Sequence, residues 1–255
     1  MSRNTAVRPV KRKKKKKTRL RAGFVVFLML ALAALLVICC TLLFPIKRIS
    51  VSGSKMYTNA QIIKASGLTT DSKLLLVSEE KLQEKIRKTL PYVDSVKIKR
   101  SLPDAIILTV TDAVENACFK TSDGYLLVSK SGYVLSKCAE KPENVYEIIT
   151  SGVSGEIGET VKYEKESEQT LVELLINELT KNNIKINSVD VVNLIEIQVS
   201  VEDKFEVLLG KNENIDKKAA HLASMIDEIG DRKGSIDLSF WTPESRQGTF
   251  KELQE

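Results

Sequence analysis

The hydrophobic pattern of the chain is dominated by one uncharged stretch, residues 24–44, which reads FVVFLMLALAALLVICCTLLF. Its 21 residues would form a helix about 31 Å long, at roughly 1.5 Å per residue. That length matches the hydrocarbon core of a bilayer, which is about 30 Å thick. The pattern therefore predicts a transmembrane helix over 23–45, with Pro45 at its end.

Beyond this stretch, the alternation of apolar and polar residues predicts a small domain over 46–114 with the order β-α-α-β-β. Thr58 and Gln61 have the spacing of a capping box at the start of the first helix, and Gly67 is a typical helix stop. Ser78 is predicted to cap the second helix. The apolar positions of that helix and of the two strands after it are Leu82, Ile86, Leu90, Val96, Ile98, Ile106, Leu108 and Val110.

The pattern then changes to short strands and predicts a second domain over 115–242, a mixed β-sheet with helices. The predicted strands are 117–119, 125–128, 133–135, 189–192, 195–201, 205–209 and 236–240, and the predicted helices are 167–181 and 215–229. Residues 243–255 read as a polar C-terminal tail. The fold class is thus a single-span membrane protein with an α+β region of two domains outside the membrane.

The distribution of charge predicts the orientation of the chain across the membrane. Residues 1–22 carry eleven Lys and Arg and no acid. Short basic segments stay in the cytoplasm, so the tail is predicted inside and 46–255 outside. Removing those eleven from 39 bases leaves 28 against 33 acids, a net charge of −5 for the remainder. Nucleic acid is therefore not an expected partner of the external region.

The basic run within the tail has three interpretations. It consists of Lys11, Arg12, Lys13, Lys14, Lys15, Lys16 and Lys17. The favoured one is a topology signal that is attracted to anionic lipid at the membrane surface. A specific cytoplasmic partner is the second. Nucleic acid is the weakest, because no aromatic residue interrupts the run to stack on bases.

Removal of the apolar segment is the alternative to a retained anchor. A signal-peptide core usually has about 7–15 apolar residues followed by a small-residue cleavage site. This stretch is longer and has no A-x-A pattern after it. Cys39 has a bulky Ile38 before it instead of the small residue of a lipoprotein site. The segment is accordingly predicted to remain as an anchor.

Reactive groups are sparse. His221 is the one histidine and lies off the apolar face of its helix, so it is predicted to be solvated and offers no triad or multi-histidine metal site. Two S-x-x-K spacings begin at Ser52 and Ser78, but no S-D-N or K-T-G accompanies them. No catalytic, cofactor or metal residue is predicted. Cys118 and Cys138 leave a disulfide open, because spacing alone cannot establish one.

Several motifs carry a resemblance to a known family. The segments VSGSKMYTNAQIIKASGL, KLLLV and LPYVDSVKIKRSLPDAIILTVTD resemble the POTRA domain of the FtsQ/DivIB proteins of bacterial cell division. The strand and helix order after residue 115, ending in an I-D-L motif, is similar to the β domain of that family. Asp112 and Asn116 depart from the family, which often has Glu and Pro near these positions.

The resemblance implies a non-enzymatic scaffold at the division septum. Its implied partners are single-span proteins of the FtsL and FtsB/DivIC type and, through them, the septal peptidoglycan synthase. Two alternatives stay open. A cell-wall enzyme would need a reactive constellation, which the sequence does not show. A membrane-protein assembly factor would carry tandem POTRA units or a barrel, which the sequence does not show either.

The final strand is the predicted partner site. The residues assigned to it are Ile236, Asp237, Leu238, Ser239, Phe240 and Trp241. Ile236, Leu238 and Phe240 are expected to face the core, which leaves Trp241 on the outer face or rim. The strand is expected at a sheet edge, where a partner strand can add. The resemblance implies that this region receives the FtsB/DivIC-type partner. The alternative is that Trp241 folds back onto its own domain.

Overall fold

The computed structural model describes the backbone of residues 17–253 and the side chains of 23–38 and 44–253. Of the predicted basic run, residues 11–16 lie outside the described residues. The first helix, α1 (Lys17–Leu43), covers most of the predicted span. Within the described side chains, no helix has both the length and the apolar character needed to cross a membrane.

The remaining elements follow in nearly the predicted order. The other described helices are α2 (Asn59–Ser66), α3 (Glu79–Thr89), α4 (Glu166–Lys181) and α5 (Ile215–Ile229), with a 3-10 turn at Leu74–Leu76. The first seven strands are β1 (Arg48–Ser52), β2 (Val93–Ser101), β3 (Ala105–Asp112), β4 (Glu115–Thr121), β5 (Gly124–Ser129), β6 (Val134–Cys138) and β7 (Tyr146–Ile149). The others are β8 (Val153–Ser154), β9 (Lys162–Tyr163), β10 (Ile186–Asp190), β11 (Ile197–Val201), β12 (Phe205–Gly210), β13 (Gly234–Asp237) and β14 (Thr249–Glu252).

The chain divides into two compact units. Among the described residues, the first comprises 17–49, 69–77 and 100–106, and the second comprises 50–68, 78–99 and 107–253. Main-chain bonds and two arginines hold the first unit together, and Arg48 pairs there with Asp104 at 2.9 Å. Its Arg100 guanidinium donates to the carbonyl oxygens of Leu74, at 3.2 Å, and Val77, at 2.6 Å.

The β-α-α-β-β order predicted for 46–114 is confirmed, and its strands form a small sheet with the order β1-β3-β2. The capping box at Thr58 and Gln61 is present, and Gly67 ends α2 in the left-handed conformation. Ser78 stands at the start of α3, but its side chain makes no capping hydrogen bond, so that part of the prediction is wrong. The first bond of the helix, from Leu82 N to Ser78 O at 3.1 Å, forms without a side-chain cap.

The second sheet is much larger. Its nine strands have the order β14-β13-β12-β11-β10-β7-β4-β5-β6. The pairs β12–β13, β10–β7 and β4–β7 are parallel, and the other pairs are antiparallel. Both α4 and α5 pack their apolar stripes on one face of this sheet. The largest buried side chains of that core are Phe119, Phe205, Leu171, Leu175 and Leu179.

Helix α3 packs directly against a turn of the second domain. Arg87 is only 4% exposed, and its guanidinium carbon lies 3.4 Å from the centroid of the Tyr133 ring. The same group donates to the carbonyl oxygens of Val93 and Asp94, at 3.2 and 2.6 Å. One buried arginine thus joins α3, the start of β2 and the turn before β6, and it combines a stacked cation with satisfied donors.

Glu168 is the buried acid of the first turn of α4. Its carboxylate accepts hydrogen bonds from Lys165 Nζ and from the Ser151 main-chain nitrogen, both at 2.9 Å. Burial alone would raise the pKa of this carboxyl, but the bonds from Lys165 and Ser151 outweigh burial and lower it.

A pKa that is lower in the folded state stabilises the fold above the unfolded pKa, which is about 4.3 for Glu, and this contribution disappears as the pH falls through the folded value. We therefore expect Glu168→Gln to lower the free energy of unfolding by about 1–2 kcal/mol at pH 7 and by less at pH 4. Urea unfolding at the two pH values measures the difference. The exposed Glu166→Gln is the control, and a loss for Glu168→Gln that does not change with pH would contradict the assignment.

Candidate partner-binding edge

The predicted site does not lie at an edge of the sheet. Strand β13 runs between β12, to which it is parallel, and β14, to which it is antiparallel. Ile236 and Leu238 are buried in the core, as predicted. The sequence prediction of an edge position is wrong because the tail after residue 242 returns and forms β14. Only the alternation of Phe250 with its polar neighbours in 249–252 hints at that strand.

The exposure of the two aromatic residues is the reverse of the prediction. Phe240 is 85% exposed, whereas Trp241 is 6% exposed. The strand alternation ends at Asp237, whose carboxylate accepts hydrogen bonds from Ser239 N at 2.8 Å and Ser239 Oγ at 2.6 Å. Trp241 N then donates to Leu238 O at 3.1 Å. This turn rotates Phe240 outward and Trp241 inward, so the folded-back position of Trp241 is the correct alternative.

Strand β14 is the terminal strand of the large sheet. Its inner side pairs with β13, in the register Ser235 to Lys251 and Ile236 to Phe250, and Leu253 N donates to Lys233 O at 3.0 Å. In an antiparallel pair, the groups that bond to the partner belong to alternate residues. The main-chain groups of Phe250 and Glu252 therefore point away from β13. No other described strand pairs with this side of β14.

The side chain of Phe250 anchors the strand. Its ring packs edge-on to Phe205 with centroids 6.3 Å apart, and the Arg232 guanidinium lies 5.2 Å from its centroid. These contacts fix β14 in register while its outer edge stays open. An ordered strand with a free edge can accept a further strand without a prior rearrangement.

The opposite edge of the sheet is covered over its first half. Val134, at the start of β6, donates from its N to Glu159 O at 2.9 Å and accepts at its O from Gly158 N at 2.8 Å. Further along β6, Lys137 forms an ion pair of 3.5 Å with Glu156. The loop that contains 156–161 thus protects β6, and β14 is the available edge.

Trp241 lies against His221 of α5, with ring centroids 6.1 Å apart. His221 is partly buried, so the prediction of a solvated residue is wrong for the face that meets the indole. The indole Nε1 is buried and has no hydrogen-bond partner among the described residues. Such a group lacks the bond it makes to water in the unfolded chain, at a cost of about 1–3 kcal/mol.

The described residues contain no cluster of three or more His, Cys, Asp or Glu that could hold a metal ion. The thiols of Cys118 and Cys138 are free, and their strands β4 and β6 are separated by β5. Burial raises the pKa of the Cys118 thiol to about 11, so this cysteine is mostly an unreactive thiol at neutral pH.

The architecture as a whole is that of a two-domain protein, in which a β-α-α-β-β domain precedes a large mixed sheet with a free terminal strand. Comparison with protein families agrees with this division. Residues 44–112 match the model of the POTRA domain, FtsQ-type, and residues 117–239 match that of the cell division protein FtsQ/DivIB, C-terminal. The chain belongs to the FtsQ/DivIB family of bacterial cell-division proteins, as its resemblance implied.

Individual relatives support the assignment over most of the chain. The cell division protein DivIB of Clostridium tetani is 25% identical over 77% of this chain and 77% of its own length. DivIB of Clostridium botulinum strain Hall is 26% identical over 89% of this chain and 91% of its own. FtsQ of Streptomyces collinus is 30% identical over a shorter part, 46% of this chain and 48% of its own length.

Proposed function

We propose that this protein is a non-enzymatic, membrane-anchored scaffold of the division septum that binds FtsL and FtsB/DivIC-type partners and, through them, the septal peptidoglycan synthase. The observation that carries the proposal is the open outer edge of β14, in a chain whose family acts in cell division. The uncharged stretch 24–44 and the basic tail before it support an anchor with a cytoplasmic N-terminus.

The partner would bind by adding a strand to β14. The outward N–H and C=O groups of Phe250 and Glu252 supply the main-chain hydrogen bonds of such a complex. Phe240, 85% exposed, would supply an apolar contact close to the start of the sheet edge, since a large exposed aromatic is a frequent hot spot. In this arrangement the other residues of the predicted site support β14 from the interior of the domain, because they form the turn and the strand next to it. These residues are Ile236, Asp237, Leu238, Ser239 and Trp241.

The sharpest test is Glu252→Pro. Proline has no main-chain N–H, and at an outward position of an edge strand its absence leaves the pairing with β13 intact. We expect Glu252→Pro to weaken binding of the FtsB/DivIC-type partner at least about tenfold. The measurement is co-purification and titration of the full chain with that partner from the same cells.

Glu252→Ala is the matched control, because it removes the same side chain and keeps the N–H. It should bind within about twofold of the parent chain. Both variants must keep the parent melting temperature. If Glu252→Pro and Glu252→Ala bind the partner equally well, main-chain addition at β14 is not how the partner binds.

A further inference from the structure

A cavity of about 360 Å³ lies where α5 meets the turn that follows β13. Its volume equals that of roughly twelve water molecules at about 30 Å³ each. The lining residues are Lys217, Ala220, His221, Ser224, Trp241, Pro243 and Arg246. None of these described residues is acidic, and neither Lys217 nor Arg246 makes an ion pair with a described residue. Two uncompensated cations therefore share one small concave site.

The second observation at this site is the indole of Trp241. Its side chain is more than nine-tenths buried, and its Nε1 donor has no described acceptor. Buried indole N–H groups normally have a partner. The wall of the cavity thus carries two cationic side chains without a described ion-pair partner, and a buried donor without a described acceptor lies behind its surface.

We infer that this cavity binds a carboxylate carried by a peptide partner. An Arg guanidinium pairs with a planar carboxylate through two parallel hydrogen bonds, and the indole N–H can donate to the remaining lone pair of the same group. Because Nε1 has no exposed area, its bond to the carboxylate requires a shift of the 242–246 turn, which carries Pro243 and Arg246 of the cavity wall. The Ser224 hydroxyl is already committed to Ala220 O at 3.3 Å.

The assignment of this carboxylate to a peptide partner rests on the proposed function. Arg246 precedes the first residue of β14, Thr249, by three positions. A peptide strand paired with β14 that continues beyond Thr249 passes the turn that forms the cavity wall. One acidic side chain on such a peptide is then placed to enter the cavity.

The test uses the fact that Trp241 is the single tryptophan of the chain. The ¹⁵N-labelled full chain, in detergent micelles, gives one indole N–H resonance. We expect the capped peptide acetyl-Gly-Glu-Gly-amide to move this resonance downfield in a saturable manner, and acetyl-Gly-Gln-Gly-amide to leave it in place. Arg246→Gln and Lys217→Gln should each weaken binding of the Glu peptide about tenfold. Lys233→Gln, an exposed charge away from the cavity, should not.

Three outcomes would overturn the inference: no saturable shift with the Glu peptide, an equal shift with the Gln peptide, or unchanged affinity in Arg246→Gln. Saturation by inorganic phosphate without saturation by the peptide would overturn the carboxylate assignment. The three-residue probe is too short to depend on the edge, so Glu252→Pro should leave its titration unchanged. A failure of strand addition at β14 is therefore distinguishable from a failure of the cavity site.

Discussion

Gly158→Ala is expected to lower the free energy of unfolding by about 3 kcal/mol or more, the sum of backbone strain and a steric clash. Gly158 has φ of +84°, where a residue with a Cβ is strained by about 1–2 kcal/mol. A Cβ built there would lie 2.4 Å from Arg87 O and 2.8 Å from Arg87 C. Those atoms belong to the main chain of α3, so they cannot rotate away as a side chain would.

The clash should also separate α3 from the loop that contains 156–161 and from the neighbouring turn that carries Tyr133. The Arg87 stack on Tyr133 and the 3.5 Å ion pair between Lys88 and Glu159 both depend on that contact. We therefore expect faster proteolysis of the segment between the two domains, together with a lower urea midpoint of the full chain in detergent.

Gly132→Ala provides the matched control. Gly132 also has a positive φ, +78°, but nothing lies within 4 Å of the Cβ position. Gly132→Ala should therefore lower the free energy of unfolding by the backbone strain alone, about 1–2 kcal/mol. Equal destabilisation by the two substitutions would mean that the loop at Gly158 does not contact α3 in solution.

The second large effect is expected for Lys218→Met. Lys218 on α5 is 2% exposed, and its ammonium group donates to Leu209 O at 2.6 Å and Lys211 O at 3.1 Å. Burial lowers the pKa of Lys218. Methionine fills a similar volume but leaves both carbonyl oxygens without that donor, for an expected loss of about 2–3 kcal/mol.

Lys217→Met is the control for this substitution. Lys217 is the exposed neighbour on the same helix, so its loss should change the free energy of unfolding by no more than about 0.5 kcal/mol. Denaturant unfolding of the full chain, followed by Trp241 fluorescence, compares the two variants. If they are equally stable, the carbonyl groups at the end of β12 find water in place of Lys218.

The parts of the fold that the sequence predicts are those determined by local chemistry. The capping box of Thr58 and Gln61 satisfies main-chain groups within one turn, so it is readable from four residues. The apolar spacing of α5 and the alternation in β3 likewise reflect a single buried face, and the structure confirms both elements.

The candidate edge was not predictable in the same way. One hydrogen-bonded turn at Asp237 cancels the period-two alternation, which is why Phe240 and Trp241 exchange places. Strand β14 is four residues long with one partly buried position, a pattern too weak to separate from a polar tail. The burial of Lys218 also depends on the distant end of β12, and no local pattern around Lys218 reports it.

The cover over β6 has a consequence for the number of molecules that can join the large sheet. A sheet with two free edges can extend in both directions and can grow into an open polymer. Here residues 158–161 cover the first half of β6, so among the described strands of this sheet β14 is the edge that is open along its whole length. A second copy of the chain and a foreign strand would therefore compete for the same place on β14.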